Sequence, residues 1–136
     1  MENCIFCKII KGEIPCSKVY ETDKTIAFLD ISPVNKGHTL VVPKKHAVNI
    51  LDIESNDLNA VSDVVRKLAP AIKKAMNADG LTITSNNGQA AGQVIMHSHI
   101  HIIPRFKEDG LKLWPQGEYK EGERQETAKK ITILID

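Results

Sequence analysis

The chain has 136 residues, enough for one hydrophobic core and too few for two ordinary domains. Apolar residues make up 42% and charged residues 26%, with 18 basic against 17 acidic side chains, which excludes a disordered chain and gives no electrostatic reason to expect nucleic acid or an anionic membrane as partner. No apolar run approaches the roughly 20 residues that span a bilayer, and the opening MENCIFCKIIKGE lacks the long apolar stretch of a signal peptide.

Three cysteines, Cys4, Cys7 and Cys16, do not form a secreted disulfide framework; they fit a reducing compartment, and a cytoplasmic location is expected. Cys16, in IPCS, has no evident task. In chain order, CIFCKIIKGEIP reads as a short helix closed by Gly12 and Pro15. Val19–Glu21 and Thr25–Ile31 read as strands around Thr22, Asp23 and Lys24. SPVNKG is a loop, and His38–Pro43 a third strand. Ser55 can cap a helix running to about Ala78, with Leu58, Val61, Val65, Leu68, Ile72 and Met76 at helical spacing. Pro70 should kink that helix or remove one backbone bond, and Asn77 and Gly80 supply its stop.

Leu81–Asn86 is a fourth strand, NGQAAG a glycine-bearing loop, and Ile95–Ile103 a fifth strand. The tail from Phe106 is rich in charge and glycine, with Trp114 as its large anchor; residues 121–135 fit a helix or a strand equally. Strands, one long helix, then two more strands predict an α+β fold with a mostly antiparallel sheet.

VIMHSHIHIIPR sets His97, His99 and His101 on alternate positions. In a strand these share one face, opposite Met96, Ser98, Ile100 and Ile102. The apolar face can pack on the long helix. The histidine face needs solvent, a ligand or a cleft, because a dry imidazole must find hydrogen-bond partners. On a regular strand His97 and His101 would stand roughly 13–14 Å apart at Cα. Three ligands on one ion are then hard to converge, since zinc–nitrogen bonds are about 2 Å long. One imidazole attacking phosphorus, with neighbours donating hydrogen bonds, is the stronger reading.

MHSHIHIIPR resembles the signature of the histidine-triad (HIT) nucleotide hydrolases and transferases. IFCKIIKGEIP, AFLDISPVNKGHTLVVPKKH and NNGQAAGQ resemble family segments in family order, so the likeness covers most of residues 4–105. It implies one HIT domain over residues 1–136, with a core at 4–105 and a tail at 106–136. The implied fold is HIT-like: a mostly antiparallel five-stranded sheet, one long helix and a short N-terminal helix.

The resemblance implies that His99 is the nucleophile, attacking the α-phosphorus of a nucleotide to give a nucleotidyl-histidine that water then hydrolyses. His101 would bond the phosphate, and His38 would support it from a neighbouring strand. Asn86, Gly92 and Gln93 match phosphate-contacting positions, and Asp30 would accept from the ribose hydroxyls. Ile5, Phe6, Ile9, Phe28, Leu29, Ile31 and Leu40 would line a purine pocket, where ordinary core packing is the competing role for Ile9, Leu29 and Leu40. Val94 stands at a nucleotide-binding position where many members carry Ser or Thr, and Ser98 at a position usually hydrophobic.

Cys4-Ile-Phe-Cys7 has the spacing of half a zinc site and needs two further ligands. In zinc-bearing members of bacterial and archaeal type these match His46 and His97, which implies a structural Cys2His2 zinc; two buried thiols without metal are the alternative. The expected activity is hydrolysis of purine nucleotide phosphoramidates or dinucleoside polyphosphates. A non-catalytic nucleotide-binding or scaffold protein and a metal-dependent hydrolase are the competing classes. Family members are commonly homodimers, so a homodimer is expected, with a purine nucleotide as the small-molecule partner.

Overall fold

The computed structural model describes residues 3–135. A short helix α1 (Ile5–Ile10) leads into strands β1 (Lys18–Glu21), β2 (Thr25–Leu29) and β3 (Thr39–Pro43). The long helix α2 (Ser55–Ala75) follows, then β4 (Gly80–Thr84), a 3-10 turn over Gln89–Ala91, β5 (Ile100–Arg105) and a tail helix α3 (Glu123–Thr132). The strands form one antiparallel sheet in the order β1-β2-β3-β5-β4. This is the α+β architecture predicted above, a five-stranded antiparallel sheet with one long helix and a short N-terminal helix, with a third helix in the tail.

Alternation along the central strands sends side chains to two separate cores. Ala27, Val41 and Ile102 pack on Val61, Val64, Val65, Leu68 and Ile72 of α2. Ile26, Phe28, Leu40 and Val42 point the other way and pack on Phe6 of α1. The first core anchors the sheet; the second forms the floor beneath the histidines.

The long helix departs from expectation at both ends. Glu54, not Ser55, occupies the N-cap, without a side-chain cap bond, and Ser55 is the first helical residue. Asn77 alone supplies the stop. It adopts φ +52, and the N–H groups of Asn77 and Ala78 donate to Lys74 and Lys73 carbonyls at 3.1 and 2.9 Å, closing the helix in a Schellman turn. Gly80 instead opens β4. Pro70 lies on the exposed side of α2, where the carbonyl left without a donor faces water, and the helix continues through it.

The fifth strand starts five residues later than expected. Residues 95–99 run as irregular chain, pinned by Ser98 N–H to the Ala47 carbonyl at 2.7 Å, and β5 begins only at Ile100. Of the three triad histidines only His101 is on a strand, so the regular-strand spacing between His97 and His101 does not apply. Met96 is half exposed rather than buried with Ile100 and Ile102. In the tail, the helix alternative holds, and α3 has no buried side chain.

Candidate active site and metal centre

Helix α1 sets Cys4 at its N-cap and Cys7 one turn later, where the Cys7 N–H meets the Cys4 Sγ at 3.4 Å. His46 comes from the segment after β3 and His97 from the irregular run before β5. Their donor atoms all lie within 4.8 Å of one another. Cys4 Sγ is 3.3 Å and Cys7 Sγ 3.6 Å from His97 Nδ1; His46 Nδ1 is 3.4 Å from Cys7 Sγ and 3.1 Å from His97 Nδ1. His97 is fully buried, and its Nε2 lies 2.8 Å from the Pro43 carbonyl. A carbonyl only accepts, so Nε2 carries the proton and Nδ1 presents its lone pair to the two sulfurs. These four residues can hold a metal ion. Without one, burial and the neighbouring Cys4 push the Cys7 thiol up.

The other two triad histidines have a different arrangement. His99 Nδ1 is 2.7 Å from the His97 carbonyl, so Nδ1 donates and Nε2 keeps a lone pair. His38, just before β3, accepts the Val34 N–H at Nδ1 over 3.1 Å. Its proton is therefore on Nε2, which donates to His101 Nδ1 at 2.9 Å. His101 in turn carries its proton on Nε2. The two reactive-side groups are thus an acceptor, His99 Nε2, and a donor, His101 Nε2–H.

Their ionisation agrees with these tautomers. Burial lowers His99 and His38 from the ordinary imidazole value. His101 falls to about 4, through burial first and then the nearby His99 and His38 rings. All three are neutral at pH 7. Asp30 lies 3.8 Å from His38 Nε2 through Oδ2, and its Oδ1 accepts the Ser32 N–H at 2.8 Å.

His99 and His101 open onto a cleft of about 540 Å³. Phe6 and Phe28 meet edge to face with centroids 5.5 Å apart, and Phe6 also touches the His99 ring edge to face at 5.2 Å. Asp30 and Ser32 stand on one wall, and Asn86, Gly92 and Val94 on another. Among the described residues, no Lys or Arg lines the cleft.

A HIT domain model matches residues 11–108, well over half of the chain. The chain belongs to the HIT domain family. Among its relatives, the adenosine 5'-monophosphoramidase hnt1 of Schizosaccharomyces pombe is 43% identical over 83% of this chain and 84% of that protein. A crystal structure from Streptococcus mutans is 42% identical and superposes with a TM-score of 0.94 over 100% of this chain and 87% of that one. A Zn-bound histidine triad family protein from Mycobacterium smegmatis is 33% identical, with a TM-score of 0.78 over 97% of this chain and 96% of that one.

In this HIT protein the cleft brings together Ile5, Phe6, Ile9, Phe28, Leu29, Asp30, Ile31, Leu40, Asn86, Gly92, Val94, His99 and His101. His38 is buried behind His101 and does not line it. Gln93 departs from its expected place on the phosphate. Its side-chain amide donates to the Val48 and Ile95 carbonyls at 2.6 and 3.1 Å. Its oxygen accepts from Gly88 N–H and Asn49 Nδ2 at 2.8 and 3.1 Å. All its bonding capacity braces the glycine-bearing loop, so Gln93 shapes the cleft from behind.

The cleft also contains residues without a sequence signal. Ile14, Pro15, Cys16, Ser32 and Ile95 line it. Cys16 therefore borders the cleft, packed against the core that holds Phe6 and Phe28. Asp30, His38 and His101 also lie close enough to suggest a second metal position. The Val34 N–H argues against it. With Nδ1 of His38 accepting that bond, its Nε2 holds a proton, and a metal there would require an imidazolate or a broken backbone bond.

Proposed function

We propose that this protein hydrolyses purine nucleoside 5'-phosphoramidates in two displacements at phosphorus. The observation that carries the reading is the bond from His99 Nδ1–H to the His97 carbonyl, which leaves Nε2 with its lone pair toward the cleft. That lone pair attacks the α-phosphorus. The N–P bond to His99 forms, the P–N bond to the amine breaks, and the amine leaves with a proton taken from solvent, which the second step returns. Water then attacks the same phosphorus, gives up a proton and releases the nucleoside monophosphate, restoring His99.

His101 Nε2–H is the donor for a non-bridging phosphoryl oxygen, and the charge that develops there in each step strengthens that bond. The Asn86 side-chain amide provides a further donor, while the N–H groups of Ala91, Gly92 and Gln93 already donate to the Gly88 and Gln89 carbonyls. Gly92 adopts φ +88, which a side chain would strain, and its N–H is part of the 3-10 turn closed on Gln89. Asp30 accepts from the ribose hydroxyls, and the purine lies in the slot between Ile5, Phe6 and Phe28. The similarity to an adenosine 5'-monophosphoramidase supports this substrate class.

The charge of the cleft separates the two expected substrate types. A dinucleoside polyphosphate brings several negative charges and needs cations along the chain of phosphates. Here, among the described residues, the lining has no Lys or Arg, the histidines are neutral, and Asp30 adds a carboxyl group. A single phosphoryl group with a neutral amine leaving group matches that field better. The apolar Ile31 and Val94, 97% and 83% exposed at the rim, offer nothing to a second phosphate. Comparing kcat/KM for adenosine 5'-phosphoramidate and a diadenosine polyphosphate tests the reading: the amidate is expected to be preferred, and preference for the polyphosphate overturns it.

Zinc is the metal proposed for Cys4, Cys7, His46 and His97. A tetrahedral Cys2His2 zinc sets its ligand atoms ~3.3–3.8 Å apart. The nitrogen–nitrogen and nitrogen–sulfur separations here run from 3.1 to 3.6 Å. With four protein ligands such an ion has no open position, so it would tie α1 to the sheet and take no part in the reaction. A second copy of the chain is the partner proposed for the exposed apolar side chains of the tail, Leu113, Trp114, Tyr119 and Leu134 among them. Sedimentation of the full chain against a form ending at Lys112 tests it, with loss of the dimer expected.

A further inference from the structure

A group of polar side chains at the far end of β5 is not used in that chemistry. Arg105, the last residue of β5, donates through Nε to Asp109 Oδ2 at 2.8 Å and through Nη2 to Oδ1 at 3.3 Å. Its Nη1 reaches Thr82 of β4 at 3.0 Å. The Asp109 side chain is only 7% exposed. It also accepts the Phe106 and Leu111 N–H groups at 3.1 and 3.0 Å. Its fifth donor comes from a distant part of the chain: Asn35 Nδ2, at 3.3 Å. The same Asn35 nitrogen donates to the Pro104 carbonyl at 2.8 Å.

Asn35 belongs to the loop between β2 and β3 that ends at His38. Its own carbonyl accepts the His38 N–H at 3.1 Å. The residue before it, Val34, supplies the N–H that fixes the His38 tautomer. On the opposite side the loop is held by Gly37, with φ +93, where an added Cβ would come within 2.5 Å of Met76 Cγ. Asn35 and Gly37 thus pin the middle of the loop, and the bonded pair Val34 and His38 flanks that pinned stretch on either side.

We propose that Asn35 and Asp109 are positioning residues: by anchoring this loop to the end of β5 they keep the Val34 N–H on His38 Nδ1, and so keep His38 Nε2–H donating to His101. Neither touches the cleft. The chain of consequences runs through four polar contacts. Asp109 orients Asn35, Asn35 fixes the loop, Val34 N–H selects the tautomer of His38, and His38 Nε2–H leaves His101 with its remaining proton on Nε2. If the loop relaxes, His38 can place its proton on Nδ1 instead. It then offers a lone pair at Nε2, which His101 meets by turning its own donor away from the phosphate. Catalysis would lose a preorganised donor while the nucleoside slot stays intact.

The kinetic part of the test rests on the phosphoramidase reading; the spectroscopic part does not. Imidazole nitrogen-15 NMR of wild type is expected to give the Nε2–H pattern for His38, assigned by its loss in His38→Asn. In Asn35→Ala the His38 signals should move toward a mixture of the two tautomers. With adenosine 5'-phosphoramidate, kcat should fall about tenfold while KM stays within about twofold. Asp109→Asn should shift both readouts in the same direction and serves as the second variant if Asn35→Ala does not fold. An unchanged Nε2–H pattern in a folded variant overturns the proposal. So does a loss confined to KM. If wild type does not turn over the amidate, the function reading fails, and the nitrogen-15 pattern alone decides this proposal.

Discussion

The carbonyl oxygen of His97 lies 2.7 Å from Nδ1 of His99, while the ring of His97 faces Cys4 and Cys7. One residue thus serves two sites two positions apart. Its ring offers a ligand atom to the candidate metal centre, and its main chain fixes the proton of His99, the proposed nucleophile. The irregular backbone over residues 95–99 makes this possible. On a regular strand the His97 carbonyl would be committed to a neighbouring strand and could not turn toward the His99 ring.

That link predicts how metal removal acts. Stripping the proposed zinc with a chelator, or substituting Cys7→Ser, should lower the melting temperature by about 10 °C through loss of a few kcal/mol of binding free energy. Turnover by the remaining folded protein should fall about tenfold, because the His97 carbonyl loses its anchor. Elemental analysis of wild type should return one zinc per chain. A melting temperature indifferent to chelator would contradict a structural metal.

His101 predicts an acid limb of stability. Its folded value of about 4 lies below the ordinary 6.5. Between those two values the unfolded chain binds a proton that the native state does not. The stability it contributes is therefore complete above pH 6.5 and is lost as pH falls toward 4. Urea unfolding of wild type and His101→Gln across that window isolates the effect, since the metal ligands titrate in both. Wild type should lose stability relative to the variant as pH falls; parallel curves would show that the ring is not held neutral.

Asp30 predicts a binding effect. Asp30→Asn should raise KM for a ribonucleoside amidate about tenfold and change kcat little, and the wild-type preference for ribose over 2'-deoxyribose should shrink in parallel. Steady-state kinetics with both sugars checks this. Equal losses in kcat would move Asp30 from ribose binding to the His38 side of the site.

Much of the architecture was legible in the chain. Alternation in TIAFL and HTLVVP sorts Ala27 and Val41 from Phe28 and Leu40, and the structure puts those pairs in opposite cores. The helical spacing of Val61, Val65, Leu68 and Ile72 marks the packed face of α2. The start of β5 was not legible, because HSHIHIIP has strand periodicity throughout. What interrupts it is a tertiary contact, Ser98 N–H to Ala47, that no local pattern encodes. Gln93 was misplaced for a related reason. An amide beside a glycine-rich loop looks like a ligand donor, yet Val48 and Asn49, 45 and 44 residues away, take up its hydrogen bonds. Cys16 reaches the cleft through its packing on the core of Phe6 and Phe28, which composition alone does not show.

The most direct test of the central claim is to trap the intermediate. Wild type mixed with adenosine 5'-phosphoramidate and quenched within one turnover should yield a His99-bearing peptide that carries one adenylyl group. Phosphorus NMR should place the bond on Nε2, and His99→Ala should yield no such peptide while keeping its fold. The first turnover should release one amine per active site ahead of the nucleoside monophosphate. Simultaneous release of both products with no modified His99, or modification through Nδ1, would contradict a nucleophilic His99 held by the His97 carbonyl.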